Sequence, residues 1–487
     1  MKPSQSLFIL IQSLSQSEKR YFRIYASQFS SGPSSSLRLF DHLRKLDGYD
    51  EAAVQAHFEG DKIASHFAYE KNRLFQLILK AMRACHAGKS ASAILQEHIK
   101  DLYFLGEKRH FEACRSVLRK AKKLATKHEL YSDWLKLLRF ERRFVKFLHH
   151  DRKRLDKRLS EITAEQRHIR SLFDQEYQYI ELYDELLATI RQQLHRASEA
   201  SQDRAKALLK SPLLHSQPSP GSFQATCYFH LCRAYCYQIL QQKAKVFECY
   251  QENLDHWQSH THRIKDEPFQ YQRAVSNYLG TAFQLDRLDL FPAGLDAMDQ
   301  LPQRTLNEKV EHFANYYYYY FLYHLNRRNF QETLASLPDI LASLNTYAEI
   351  IAPSRTVAFY FNISVVYFVT GHYSAAVKSL SPIRNQHFGD IRKDLRRRAC
   401  FIVLACHFEL ENLSLFDSLH RSTANLLFQG NGPQPGEQPL LRFFKKIYQL
   451  GPANKRDLVE LAENTCRDLQ GSDFEHSEMG YWLQNWS

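Results

Sequence analysis

The chain has 487 residues, 65 Lys and Arg against 53 Asp and Glu, and a net charge of +12. Gly (16) and Pro (15) are scarce, helix-favouring residues abound, and the alternating β-branched runs that mark sheets are missing, so a sheet protein is excluded. The nine cysteines follow no disulfide spacing, the apolar run Leu7–Ile11 is too short for a secretory signal, and no stretch approaches the ~20 apolar residues of a spanning helix; the expectation is a reduced, cytoplasmic, non-membrane protein.

The charge is uneven. Residues 1–90 carry 13 basic and 8 acidic side chains, residues 91–170 carry 21 and 11, and residues 171–487 carry 31 and 34. The excess therefore sits in the first third of the chain.

In chain order, residues 4–29 read as two short helices. Ser15-Gln16-Ser17-Glu18 has capping-box spacing, with Tyr21, Phe22 and Tyr25 expected inward on the helix that follows. A loop over 30–34 precedes a helix from Leu37 to Leu46. Asp50 is placed to cap a short helix ending near Phe58, and Asp61 to start a long one through Ala87 with Phe67, Leu74, Phe75, Ile78 and Met82 as its core stripe. Glu59-Gly60-Asp61 also fits the turn of a helix-turn-helix, but the helix after it begins Lys62-Ile63-Ala64-Ser65-His66, poor in the donors that base reading needs, so a packed helical cap is preferred.

Residues 93–127 read as a hairpin with Phe111, Cys114, Leu118 and Ala121 inward, followed by long helices at about 130–150 and 153–200. Arg139, Arg142, Arg143 and Lys146 recur at three and four along one helix, with Arg152, Lys153 and Arg154 just after. This candidate basic patch suits phosphates. Interleaved Glu112, Glu141, Asp151 and Asp156 make a solvated charged face the plainer reading. A Pro/Ser-rich linker at 211–221 ends the region.

From 223 to 428 a pattern of an apolar residue, a small one and an aromatic three further on recurs at Leu231-Cys232/Tyr235, Leu279-Gly280/Phe283 and Leu404-Ala405/Phe408, with a looser copy at Tyr320-Phe321/His324. The clearest unit is Thr356–Arg384. Tyr360, Ile363, Ser364 and Tyr367 line one helix, Gly371 makes the turn, Tyr373, Ala376, Val377 and Leu380 line the second, and Pro382 is expected to end it. Aligning positions 232, 280, 321, 364 and 405 gives intervals of 48, 41, 43 and 41.

Ser364, Tyr367, Gly371 and Ala376 resemble a tetratricopeptide repeat, with Tyr360 where that family usually has Trp and a period longer than the usual ~34. Ser13–Phe22, Lys71-Asn72-Arg73-Leu74 with Ile78-Leu79-Lys80 and Arg83, and the final Tyr481-Trp482-Leu483 resemble an uncharacterised group of cytoplasmic helical-repeat proteins common in Bacteroidota, for which no reaction is assigned. The resemblance implies an all-α, right-handed superhelix of antiparallel helix pairs, a TPR-like α-solenoid with helical N- and C-terminal caps. The expected division is 1–90 (cap), 91–215 (basic helices), 216–430 (repeats) and 431–487 (cap), with Trp482 and Trp486 on one face of a terminal helix.

Within the repeats, Tyr316, Tyr317, Tyr319, Tyr320 and Tyr323 form an unusual cluster. Packing explains about half of such a run, and the rest are candidates for a partner-binding concave face. Cys227, His230, Cys232 and Cys236 have ligand-like spacing, but four ligands from one straight helix suit a tetrahedral ion poorly, and His149 and His150 point apart. Glu176 and Glu181 form a carboxylate pair of a kind any solvated helix carries. No phosphate loop, nucleophile elbow or zincin motif occurs, so the reading is non-enzymatic, without cofactor or metal. The expected partner is a protein or peptide. A nucleic acid held by residues 61–158, with the repeats as a sensor, is the alternative.

Overall fold

A computed structural model describes residues 3–28, 34–148, 151–192, 198–215, 221–347, 350–384, 391–428, 432–451 and 455–486. The described residues are all-helical, with no strand. Short helices open the chain: α1 (Pro3–Ser13), α2 (Gln16–Ser27), α3 (Ser35–Leu43), α4 (Glu51–His57), α5 (Lys62–Ser65) and α6 (Phe67–His86). Next come α7 (Ala91–Glu107), α8 (Phe111–Lys127), α9 (Tyr131–Leu148), α10 (Arg152–Gln192), α11 (Glu199–Lys210), α12 (Pro212–His215), α13 (Phe223–Ile239), α14 (Lys243–Ser259) and α15 (Thr261–Asp266). The rest are α16 (Pro268–Gln284), α17 (Phe291–Asp299), α18 (Leu306–Asn326), α19 (Phe330–Tyr347), α20 (Pro353–Val369), α21 (Tyr373–Arg384), α22 (Lys393–Glu409), α23 (Leu413–Phe428), α24 (Glu437–Leu450), α25 (Lys455–Asp468) and α26 (Glu478–Gln484).

The expected capping box is present: the Ser15 hydroxyl accepts from the Glu18 amide at 3.2 Å, and the Ser15 amide donates to Glu18 Oε2 at 2.8 Å. The single helix expected from Asp61 is instead two. Asp61 caps the four-residue α5, and the chain breaks at His66 before α6 starts. Four residues are too few for a recognition helix.

One turn recurs at seven helix ends among the described residues. Its middle residue is left-handed in each case: Arg109, Glu129, Gln241, Asp286, Arg328, Gly371 and Glu411. The next amide donates back five residues, as in His110→Leu105, Leu130→Ala125, Gln242→Tyr237, Arg287→Ala282, Asn329→His324, His372→Tyr367 and Asn412→His407, all at 2.8–3.0 Å. This is the Schellman closure, which satisfies a carbonyl the helix end leaves open. Only Gly371 adopts it without a Cβ penalty.

The turns set the repeat register. Residues 241, 286, 328, 371 and 411 lie 45, 42, 43 and 40 apart. Seven positions before each stand Ala234, Leu279, Phe321, Ser364 and Leu404, all with no exposed surface. The small positions Cys232, Gly280 and Ala405 chosen from sequence are thus one or two residues out of register. Apolar burial is what repeats, and smallness is not. Pro382 does not end α21, which runs to Arg384. The Ser381 hydroxyl donates to the Lys378 carbonyl at 2.9 Å, taking the place of the amide that proline lacks.

The chain divides into two compact units, residues 1–267 and 268–487, so the array expected over 216–430 is shared between them. In the first unit α1–α6 bury Ile11, Phe22, Phe40, Leu74 and Ile78 among themselves. Helices α7–α10 pack in sequence, and α13 lies on α10 and α14. In the second unit each of α16, α18, α20, α22 and α24 packs on the next in that series, and each also packs on the helix that follows it in the chain. Helix α20 is buried nearly all round, from Val357 to Phe368, as a central helix must be. Trp482 of α26 and Trp486 just beyond it meet edge to face at 4.9 Å, and both indole N–H groups donate to Glu409 Oε1, at 2.7 and 3.3 Å.

Candidate functional site

In the second unit α16, α18 and the start of α20 enclose a cavity of ≈ 320 Å³. Arg273, Ser276 and Asn277 line it from α16, Glu311, Asn315 and Tyr319 from α18, and Ile350, Ile351 and Arg355 from the approach to and first turn of α20. The i,i+4 spacing of Arg273/Asn277 and of Glu311/Asn315 places each pair on one face of its helix. The Asn315 amide is tied to the Glu311 carbonyl at 2.9 Å, whereas the Asn277 carboxamide makes no hydrogen bond among the described residues. Arg355 lies 4.0 Å over the Tyr318 ring, and its buried Nη1 has no hydrogen-bond partner among the described residues; nor has the buried Ser276 hydroxyl. Buried donors without partners are costly, so these groups are set to accept a partner's polar atoms. Ile350, 56% exposed, adds an apolar lip.

The five candidate tyrosines take up different places, and none is exposed. Tyr319 is buried, and its hydroxyl donates to the Ser276 carbonyl at 2.6 Å; burial drives that hydroxyl's pKa upward. Tyr320 is buried on His324, its hydroxyl 3.0 Å from Ser336 Oγ. Tyr316 stacks on His312 at 5.3 Å, and burial pushes its pKa to about 12. Tyr317 packs on Phe313, and Tyr323 stacks on Phe291 at 6.0 Å. Of the five only Tyr319 borders the cavity; Tyr319 and Tyr320 are buried, while Tyr316, Tyr317 and Tyr323 are half-buried, packed on His312, Phe313 and Phe291. Tyr318, within the same run but not among the five, is the ring that holds Arg355.

In the first unit the basic residues separate into two groups. Lys122 bonds to Glu141 at 3.1 Å and Glu165 at 2.7 Å, and Arg158 bonds to Glu141 at 2.8 Å and Glu161 at 2.7 Å, a network joining α8, α9 and α10. Arg142 turns to α10, donating to Thr163 and Gln166 at 2.9 Å each. Arg139, Arg143 and Lys146 stay exposed on α9. Arg152 and Arg154 are exposed and reach only Asp156 and Asp151, at 4.0 and 3.8 Å, and Lys153 is exposed as well.

Sequence reading missed a buried charge centre in this unit. Arg263, 4% exposed, donates to Glu129 Oε2 at 2.8 Å and to the His128 carbonyl at 2.9 Å, with Glu267 at 3.5 Å. Glu176 shares the site. Burial, with Glu129 adding repulsion, raises its pKa to about 6. Glu176 is therefore no partner of Glu181, which is exposed. Residues 129, 176 and 263 are far apart in the chain, so no local pattern could have joined them.

Cys227, His230, Cys232 and Cys236 all lie on α13. Burial raises the three thiol pKa values, that of Cys236 to about 12, and lowers His230 to about 4. His149 and His150 lie outside the described residues. Among the described residues no three His, Cys, Asp or Glu could jointly hold a metal ion, and no helix is long and apolar enough to cross a membrane. Neither family models, nor curated proteins, nor solved structures give a match to this chain.

Proposed function

We propose that the chain is a non-enzymatic scaffold that binds an extended peptide segment of a protein partner through its helical repeats. In this reading the helix pairs are antiparallel and stack as a divergent, right-handed tetratricopeptide-like α-solenoid with helical caps, akin to the Bacteroidota group its sequence resembles. The observation that carries the reading is the cavity between α16, α18 and α20, with two arginines, two asparagines and unpartnered buried donors at Arg355 and Ser276. The unpartnered Arg355 guanidinium nitrogen and Ser276 hydroxyl favour a segment with a carboxylate of its own. The apolar lip and the amides suit a peptide main chain. Nine cysteines without a disulfide suit a reducing cytoplasm.

The test is selection of a displayed random peptide library on the full chain, followed by calorimetry. Selected peptides are expected to carry Asp, Glu or a free C-terminus and to bind at least tenfold more weakly to Asn277→Ala and Arg355→Ala variants. Peptides whose affinity ignores both substitutions would refute the proposal.

A further inference from the structure

The first unit carries a surface of a different chemistry, independent of the peptide reading. Gly106 lets α7 approach α9 so closely that a Cβ there would lie 2.7 Å from the Phe144 ring. Around this contact the rings form a continuous ladder. Tyr103 meets Phe140 at 4.8 Å, Phe140 meets Phe144 at 4.8 Å, Phe144 meets Phe111 at 5.6 Å, and Phe111 stacks on Phe147 at 4.4 Å with an interplanar angle of 2°. The ladder is buried in its middle, where Phe140 is 6% exposed, and open at both ends, where Tyr103 is 53% and Phe147 38% exposed. An apolar core closes over its rings; this ladder leaves two of them in water.

Cations accompany the rings. Arg109 and Lys146 lie 5.9 and 5.0 Å from the Phe147 ring centroid, and Arg143 lies 6.0 Å from that of Phe144. Arg139 stands one turn before Arg143 on α9. The carboxylates of α8 and α9 are committed elsewhere: Glu112 is 3.9 Å from Arg115, Glu141 is held by Lys122 and Arg158, and Asp133 by Lys136. Arg139, Arg143 and Lys146 have no carboxylate in ion-pair reach among the described residues. The surface thus carries Arg139, Arg143 and Lys146 along α9, with exposed rings at Phe147 on α9 and Tyr103 on α7.

We infer that this face of α7–α9 binds single-stranded nucleic acid. Charge complementarity selects a polyanion, and ring ends left open beside the cations select one that carries flat, unpaired bases. A duplex hides its base faces, and an acidic peptide offers a ring only where its sequence places one, whereas a single strand offers one beside every phosphate. Four cations, Arg109, Arg139, Arg143 and Lys146, on four phosphates give a salt dependence of log K on log salt near −3 for a single strand.

The test is fluorescence anisotropy of the full chain with labelled 20-nucleotide oligo(dT) and oligo(U), run at several salt concentrations, with a 20-base-pair duplex and phosphatidylserine vesicles as competitors. The expected result is micromolar binding of a single strand with that salt slope and weaker competition by duplex and vesicles. Phe147→Leu and, on a separate helix, Tyr103→Leu each weaken binding at least fivefold with the circular dichroism unchanged. Arg139→Gln with Arg143→Gln lowers the slope by about 1.4, at ~0.7 per phosphate contact. Absence of binding at low salt, binding indifferent to both ring substitutions, or stronger competition by duplex or by vesicles would each overturn the inference.

Discussion

The two units treat buried charge differently. In the second, each deeply buried carboxylate has an arginine of its own: Glu437, 2% exposed, accepts from Arg397 at 2.9 Å, and Glu478, 7% exposed, from Arg398 at 3.2 Å. These pairs fasten α24 and α26 to α22, while the rest of the unit is apolar packing repeated turn by turn. In the first, the deeply buried Glu70 and Asp133 likewise have Arg73 at 3.6 Å and Lys136 at 2.8 Å, but the half-buried Glu129, Glu176 and Glu267 gather around a single Arg263. A one-to-one pair is neutral at every physiological pH, whereas three carboxylates on one guanidinium are not; burial, with repulsion from Glu129, raises the Glu176 pKa to about 6, so it keeps its proton to a higher pH than an ordinary carboxyl. The imbalance of charge is thus gathered at the Arg263 site of the first unit.

The sharpest break in that contrast comes from Arg263→Ala, which leaves the carboxylates of its site with no cation. We expect a loss of about 3–5 kcal/mol in the first unit, read by urea titration of Trp134 and Trp257 fluorescence. Trp482→Ala in the second unit removes an aromatic from a packed core and a hydrogen bond to Glu409, with an expected loss of about 3–4 kcal/mol and no dependence on pH between 5 and 8.

Smaller effects sharpen the picture. The folded-state pKa of Glu176 lies above the unfolded value of 4.5, so the folded chain binds more protons between 4.5 and about 6, and stability falls as pH rises through that window. Glu176→Gln removes the penalty. It is expected to stabilise the first unit by about 1 kcal/mol above pH 6, after allowance for solvent screening, and to change nothing below pH 4. Among the turns, Gly371→Ala places a Cβ in open space at φ +80°, so its cost of about 1 kcal/mol is backbone strain alone. Glu411→Gly, in the same turn one repeat later, is expected to gain about 0.5 kcal/mol. Equal signs for the two would contradict the common turn geometry.

Much of the helical content was legible because it is local. The Ser15 capping box, Asp50 as a cap and the Thr356–Arg384 hairpin are each written within a few residues. The repeat register was only half legible, since six of the seven left-handed turn residues are not glycine and the fully buried position before each turn varies from Ala to Phe. The functional surfaces were less legible. Arg355 and Asn277 belong to different helix pairs, and Tyr103, Phe111 and Phe147 meet only once α7, α8 and α9 have packed. The tyrosine run was legible only in part: composition marks it out, but which rings are buried (Tyr319, Tyr320) and which half-buried (Tyr316, Tyr317, Tyr323) depends on packing. The i,i+4 pairs of charged and amide residues on α16 and α18 were the signal available.

The peptide-binding reading is tested most directly by cross-link mapping. A library-selected peptide carrying a benzophenone is irradiated on the full chain, and the adducts are located by mass spectrometry of the digest. The reading predicts adducts in α16, α18 and residues 350–355, abolished by Arg355→Ala. Adducts confined to α17, α19 or the first unit would contradict it.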